Sequence, residues 1–264
     1  NLAAQSPSLE LAFAVSDKIQ SDNKSHHTFY VCKSALKSCS VNIKHEKSIC
    51  KICVNKAKQG IRLYKKKNTN TSIKFISKKD LETFNGKFIN ESRLDEVKLG
   101  VNSTLASQFR IREINNLELK WKKYFKIMLT TSTNLYHYFK SELEKNKPEA
   151  IIVFNGRLSS ARPIKIAAES TKSNYFLFDS SNNGKYPVLA KNRMFHSIEF
   201  VRDYSIRIYL NDIHKARITA ANFMASKLTN KSIDDTVFTR HQVKKYIDPR
   251  VTFSKKKIIS IYTS

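Results

Sequence analysis

The spacing of apolar and polar positions divides the chain into segments of two different periods. Leu11, Ala14, Val15 and Ile19 recur every three or four residues behind Ser6-Pro7, a pair suited to open a helix as cap and first residue. The short aromatic run 27–32 then reads as a strand. Residues 33–59 show no period and read as irregular, 60–64 as the next strand, and 72–77 as a further strand or part of a basic loop. Residues 78–111 read as short helices on a surface excursion. Over 115–146, Leu117, Trp121, Phe125, Met128, Ser132, Leu135, Phe139 and Leu143 fall on one stripe, which predicts one long amphipathic helix or two in tandem, stopped by Pro148. That aromatic stripe is read as core.

The clearest unit follows. The continuous apolar run Ile151 to Phe154 predicts a buried strand, and Asn155-Gly156 supplies a left-handed turn. Ser159 or Ser160 is expected to cap the next helix, with Pro163 in its first turn and Ile164, Ala167 and Ala168 on a face that packs closely on a sheet. Residues 174–179 give the next strand, so the whole is a βαβ unit with a parallel crossover. Residues 192–231 read as mostly helical with breaks near Asn211 and Asn230, 236–250 as a connector, and 257–263 as a new strand. Strands alternating with helices predict an α/β fold with a doubly wound, Rossmann-like parallel sheet.

Composition adds a charge problem to this ordinary globular pattern. The chain has 264 residues, enough for a sizeable core, and carries 48 Lys plus Arg against 22 Asp plus Glu, a formal +26. Such an excess makes a field for anionic partners: nucleic acid, acidic lipid or anionic glycan. Abundant Lys, Asn, Ile and Ser leave open a drift in composition as part of the cause. The basic residues are scattered in small knots, with no helix-turn-helix, aromatic RNA-binding or paired-histidine finger pattern, so nucleic acid is not the favoured partner. No apolar run has the length of a membrane span and no signal peptide is recognised, which predicts a soluble or peripheral protein. The first residue is not Met, and the two ends read as a helix already under way and a strand just entered, so a fragment cut at both ends is expected.

Candidate chemistry gathers in two places. In an open parallel sheet ligands bind beyond the carboxyl ends of the strands, where Asn155, Gly156 and Arg157 stand at one end and Asp179 to Asn183 at the next. Arg157 and Arg162 near a helix start could hold a phosphate or carboxylate, or the arginines could simply be solvated around a plain turn. The second place is Cys32, Cys39, Cys50 and Cys53, confined to 22 residues and ending in a CxxC pair. Structural zinc, reduced core or loop thiols, and redox or disulfide roles all remain open for them. The histidines, including His26, His27, His196 and His214, show no metalloenzyme spacing, and there is neither a P-loop nor a GxGxxG.

The stretch VFNGRLSSARPIKIAAES followed by YFLFD resembles the N-terminal Rossmann-like domain of bacterial capsule and surface-polysaccharide glycosyltransferases of the two-domain GT-B type. SPSLELAFAV is similar to their first helix, TFYVCKSALKSC with CKIC to their cysteine-bearing second strand and loop, KLGVNSTLASQFR to a small-residue segment, and KKKIISIYTS to the strand opening their C-terminal domain. The chain departs from them after 179, where FDSSNNGKY has only Asp179 and Gly184 in place of a more acidic, glycine-bearing turn. The resemblance implies an acceptor-side domain over 1–250, lacking its first strand, and a linker and first strand of a C-terminal domain over 251–264. It implies transfer of a sugar from an activated donor to a glycan or lipid-linked glycan, with the nucleotide sugar bound mainly in the C-terminal half and no cofactor in this piece. Arg157 and Arg162 would hold an acidic group, Asn155 would shape the loop or bond a sugar hydroxyl, Gly156 would form the turn, and Asn183 would line the cleft. Asp179 or His196 would serve as base. The expected place is the cytoplasm, peripheral to the anionic inner face of the membrane. Two rivals stand beside this: a nucleic-acid-binding protein with an insert stabilised by zinc on the four cysteines, and a noncatalytic glycan-binding or assembly module.

Overall fold

A computed structural model describes residues 8–23, 25–110, 119–180, 187–195 and 197–228. The chain divides into two units, Asn1–Ile208 and Tyr209–Ser264. In the first unit the order is α1 (Ser8–Asn23), β1 (His27–Cys32), α2 (Lys47–Lys67), β2 (Thr71–Ile76), α3 (Lys78–Glu82), α4 (Glu91–Phe109), α5 (Leu119–Asn146), β3 (Ile151–Phe154), α6 (Arg162–Ser170), β4 (Tyr175–Ser180), β5 (Pro187–Lys191) and α7 (Ile198–Asn211). α7 runs on into the second unit, where α8 (Ile213–Leu228) follows it. The expected break between them falls at Asp212, whose side chain accepts the Lys215 N–H at 2.9 Å and so caps α8.

The class is α/β, with the strands shared between two small sheets. β1 and β2 pair in parallel, His27 opposite Thr71 through to Cys32 opposite Ile76. β3 and β4 pair in parallel from Ile151 opposite Tyr175 to Phe154 opposite Phe178, as the βαβ reading predicts. β5 adds to β4 in antiparallel, which the sequence pattern did not reveal. Its first residue is Pro187, which has no N–H to give and is tolerated at a strand start. One core serves both sheets: Ala35, Leu36 and Ile76 from the first cluster with Val153, Leu177 and Ala190 from the second and with Leu135, Phe139 and Leu143 of α5.

Two expectations are corrected. Residues 47–67 form one helix in place of an irregular stretch and a strand at 60–64. Ala57, Ile61 and Tyr64 bury one face of it, a helical spacing that the β-leaning composition of Ile-Arg-Leu-Tyr conceals. Gly60 lets α1 come close there: a Cβ would stand 2.6 Å from Leu9 Cδ2, whose side chain would have to shift. Phe13 of α1 stacks on Tyr64 with ring centroids 4.7 Å apart. The supposed surface excursion is instead largely α4, 19 residues capped by Asn90, whose side chain accepts the Arg93 N–H at 2.9 Å. Val97, Val101 and Leu105 lie on its inner face with no exposed surface. α5 forms as one helix over its described length, with Met128, Leu135, Phe139 and Leu143 buried.

The Ser6-Pro7 cap, Leu117, the break at Asn230, and the connector and strand beyond 229, including the 251–264 segment, lie outside the described residues. Leu105→Ala is expected to cost about 3 kcal/mol, as deletion of a fully buried leucine does, whereas a helix on a surface excursion would lose under about 0.5 kcal/mol. Urea unfolding of the two proteins measures the difference.

Candidate functional site

The carboxyl ends of β3 and β4 are joined by side chains. Asn155 and Gly156 take consecutive left-handed conformations, φ 60° and 73°, which turn the chain sharply off β3. The Asn155 N–H donates to Phe178 O at 2.8 Å, so the ladder reaches one residue past the strand. At Gly156 a Cβ would stand 2.6 Å from Leu177 Cδ1, so glycine is set there by space as well as by φ. The buried Asn155 side chain then works in two directions. Its Nδ2 donates to Asp179 Oδ2 at 2.6 Å and its Oδ1 accepts the Arg157 N–H at 3.2 Å. Asp179 Oδ1 accepts the Ser180 N–H at 2.8 Å, so both carboxylate oxygens are oriented while lone pairs remain for a ligand.

The β3–α6 loop is fastened from below by α4 and α5. The Ser159 N–H donates to Thr104 Oγ1 at 2.8 Å, Thr104 in turn donates to Gly100 O at 3.0 Å, and Ser132 Oγ of α5 donates to Ser159 O at 2.9 Å. The loop after β1 joins the same edge: Ser40 and Ser160 hydroxyls are 3.0 Å apart, and Gln108 Nε2 donates to Ser40 O at 3.0 Å. Neither Ser159 nor Ser160 caps α6, in contrast to the expectation for one of them. The N-cap is Ala161, without a side-chain bond: the Ser160 hydroxyl lies against Ser40, and Ser159 is held by its backbone N–H on Thr104.

Gly100 lets the arginines approach α4. A Cβ on it would stand 3.0 Å from Arg162 Cβ and 3.6 Å from Arg157 O. Arg157 Nη2 reaches Ser107 Oγ at 3.4 Å, a long contact. The Nε of Arg157, the Nε of Arg162, Ser159 Oγ and Asn102 Oδ1 are buried without a hydrogen-bond partner. Guanidinium N–H groups so placed have lost water without a replacement in the protein. The chemistry of this edge is therefore one oriented carboxylate, one amide and two cations with spare donors.

Of the expected residues, the structure brings together Asn155, Gly156, Arg157 and Asp179, and sets Arg162 against α4 beside them. Asn183 and His196 lie outside the described residues. The parts that sequence reading missed are Gly100, Thr104 and Ser107; their signal was the run of small and polar residues in α4. An open concavity at the other end of β4, beside Lys165, Glu169, Tyr175 and Arg193, contains none of the expected site residues.

Cys32, Cys39, Cys50 and Cys53 are all free thiols. None is in a disulfide, and no group of three or more His, Cys, Asp or Glu side chains among the described residues is arranged to hold a metal ion. Cys50 Sγ accepts from Asn42 Nδ2 at 3.3 Å, and Cys32 Sγ from the Ala35 N–H at 3.3 Å. Burial raises the Cys32 thiol and pushes Cys39 up to about 11, away from the thiolate a nucleophile needs. No family model, no curated protein and no solved structure matches the chain.

Cys39 gives a pH test. Its folded pKa lies above the ordinary 9.0, so its stabilising effect is complete below pH 9 and is lost as pH rises through about 11. Unfolding free energy should fall by roughly 2 kcal/mol over that window from this thiol, and Cys39→Ala should flatten the slope in denaturant titrations.

Proposed function

We propose that this chain is the acceptor-side, Rossmann-like domain of a GT-B glycosyltransferase that builds a surface polysaccharide. What supports the reading above all is the 2.6 Å bond from Asn155 to Asp179, which sets a carboxylate at the carboxyl edge of the parallel strand pair. That edge is where open α/β sheets take ligands. In this reading Asp179 accepts the proton of an acceptor hydroxyl as its oxygen bonds to the anomeric carbon of the donor. The bond from that carbon to the donor phosphate breaks, and its electron pair leaves with the nucleotide. Arg157 and Arg162 hold a phosphate or carboxylate of the acceptor, and Asn155 keeps the carboxylate aimed.

The nucleotide sugar then belongs to a second domain, and the acceptor is a glycan or lipid-linked glycan. No helix among the described residues is long and apolar enough to cross a membrane. A peripheral position at the anionic cytoplasmic leaflet accords with the chain's +26 charge.

The test uses the full-length polypeptide that carries this chain, screened with nucleotide sugars and acidic or phosphorylated acceptors. Asp179→Asn should lower kcat by about 10²- to 10⁴-fold with little change in KM. Arg157→Ala should raise the acceptor KM by roughly tenfold, about 1.4 kcal/mol of binding. No transfer from any donor by the unaltered protein, or a folded Asp179→Asn enzyme within about threefold of its rate, would sink the proposal.

A further inference from the structure

α2 carries eight basic residues and no acidic one in 21 positions: Lys47, Lys51, Lys56, Lys58, Arg62, Lys65, Lys66 and Lys67. All eight are exposed, and none has an ion-pair partner among the described residues. At about 100° per residue, Lys47, Lys51, Lys58, Arg62 and Lys65 fall within about 60° of one another, a single file about 27 Å long. Like charges three or four apart on a helix, such as Lys47 with Lys51 and Lys58 with Arg62, repel and weaken it. No carboxylate among the described residues pairs with the file, and Glu46 at the N-cap and Asp17, bonded to Asn68 at 3.0 Å, stand at the two ends of the helix; Ala57, Ile61 and Tyr64 hold the flank beside the file, about 100° round the axis, in the core.

We propose that this stripe binds a linear acidic polysaccharide, lying along α2 with its carboxylates or phosphates against the file of cations. Three observations select that partner among polyanions. The spacing of the cations, one every one to two helical turns, suits a polymer with an acidic group on every sugar or every second sugar. α2 exposes no aromatic ring on which a nucleic-acid base could stack; Tyr64 is buried, and the nearby Phe75 of β2 is covered by Lys58 Nζ, 5.4 Å from its centroid. Nor is there a continuous apolar face to enter a bilayer, since the exposed Ile52 and Leu63 stand about 16 Å apart along the axis with Lys56 and Gln59 between them. The stripe does not depend on Asp179 or on the transferase reading, and a noncatalytic module would carry it equally.

The experiment titrates the chain with hyaluronan, a polyuronate, and in parallel with a single-stranded oligonucleotide of similar charge and with phosphatidylserine vesicles. Lys51→Glu/Lys58→Glu/Arg62→Glu reverses the file. Lys122→Glu/Lys123→Glu/Lys126→Glu on α5 makes the same change of net charge on other exposed lysines. The neutral variant Lys51→Gln/Lys58→Gln/Arg62→Gln replaces the first should it fail to fold. The stripe variant is expected to weaken hyaluronan binding at least about tenfold and to make it less salt-dependent, with the α5 variant within about threefold. Failure of the unaltered chain to bind hyaluronan, equal weakening by both variants, or tighter binding of the oligonucleotide or vesicles through the same residues overturns the proposal. Loss of transfer activity on Asp179→Asn with stripe binding intact, or the reverse, separates this proposal from the transferase reading.

Discussion

The arrangement of the site edge rests on one relay of two hydrogen bonds inside the protein. Thr104 accepts the Ser159 N–H and donates its own proton to Gly100 O. Both ends are buried, so neither bond has water as a substitute, and breaking either leaves an unsatisfied polar group in the core. The relay fixes the height of the β3–α6 loop above α4. Because Gly100 has no side chain, the same helix turn also receives the stem of Arg162 and the carbonyl of Arg157. A helix that seemed peripheral is thus the floor on which the polar groups stand.

From that floor the geometry propagates by short links. The left-handed pair Asn155-Gly156 turns the chain toward α4, and the Asn155 amide ties the turn back to Asp179 on the next strand. Asn155 and Asp179 are each held by backbone as well as by one another, which is the usual condition for a site that does not reorganise when charge develops. The cations differ. Their stems are packed while donors on both remain unsatisfied, so their conformational freedom is already restricted before a ligand arrives.

How much of this was legible before the structure depended on whether a local signal stood alone. Ile151–Phe154, Asn155-Gly156 and Pro163 spoke for themselves, because apolar run, left-handed turn and first-turn proline all point one way. Leu11 and Val15 were legible for the same reason. α2 was not, since Gly60 is a poor helix former and only the crossing of α1 at Leu9 and Phe13 explains it. α4 was hidden by charges such as Arg93, Asp95, Glu96 and Lys98, which mask the inward Val97, Val101 and Leu105. Ser160 carried a capping preference that a tertiary partner, Ser40, overrode, and the backbone of Ser159 is tied to Thr104 before the helix begins. The cysteines gave no single signal, since zinc, reduced thiols and redox roles all suit their spacing, and among the described residues no group of three metal-ligating side chains forms.

The crossing at Gly60 has a mechanical side. α1 touches α2 through Leu9 and Phe13, and its other contacts include Phe178, which Leu11 and Val15 cover. Phe178 precedes Asp179 on β4, so the helix that closes on Gly60 with one face covers, with another, the residue next to the carboxylate. Bulk added at Gly60 would press first on Leu9 and Phe13, side chains of the same helix that shields Phe178, without touching a polar atom at the edge.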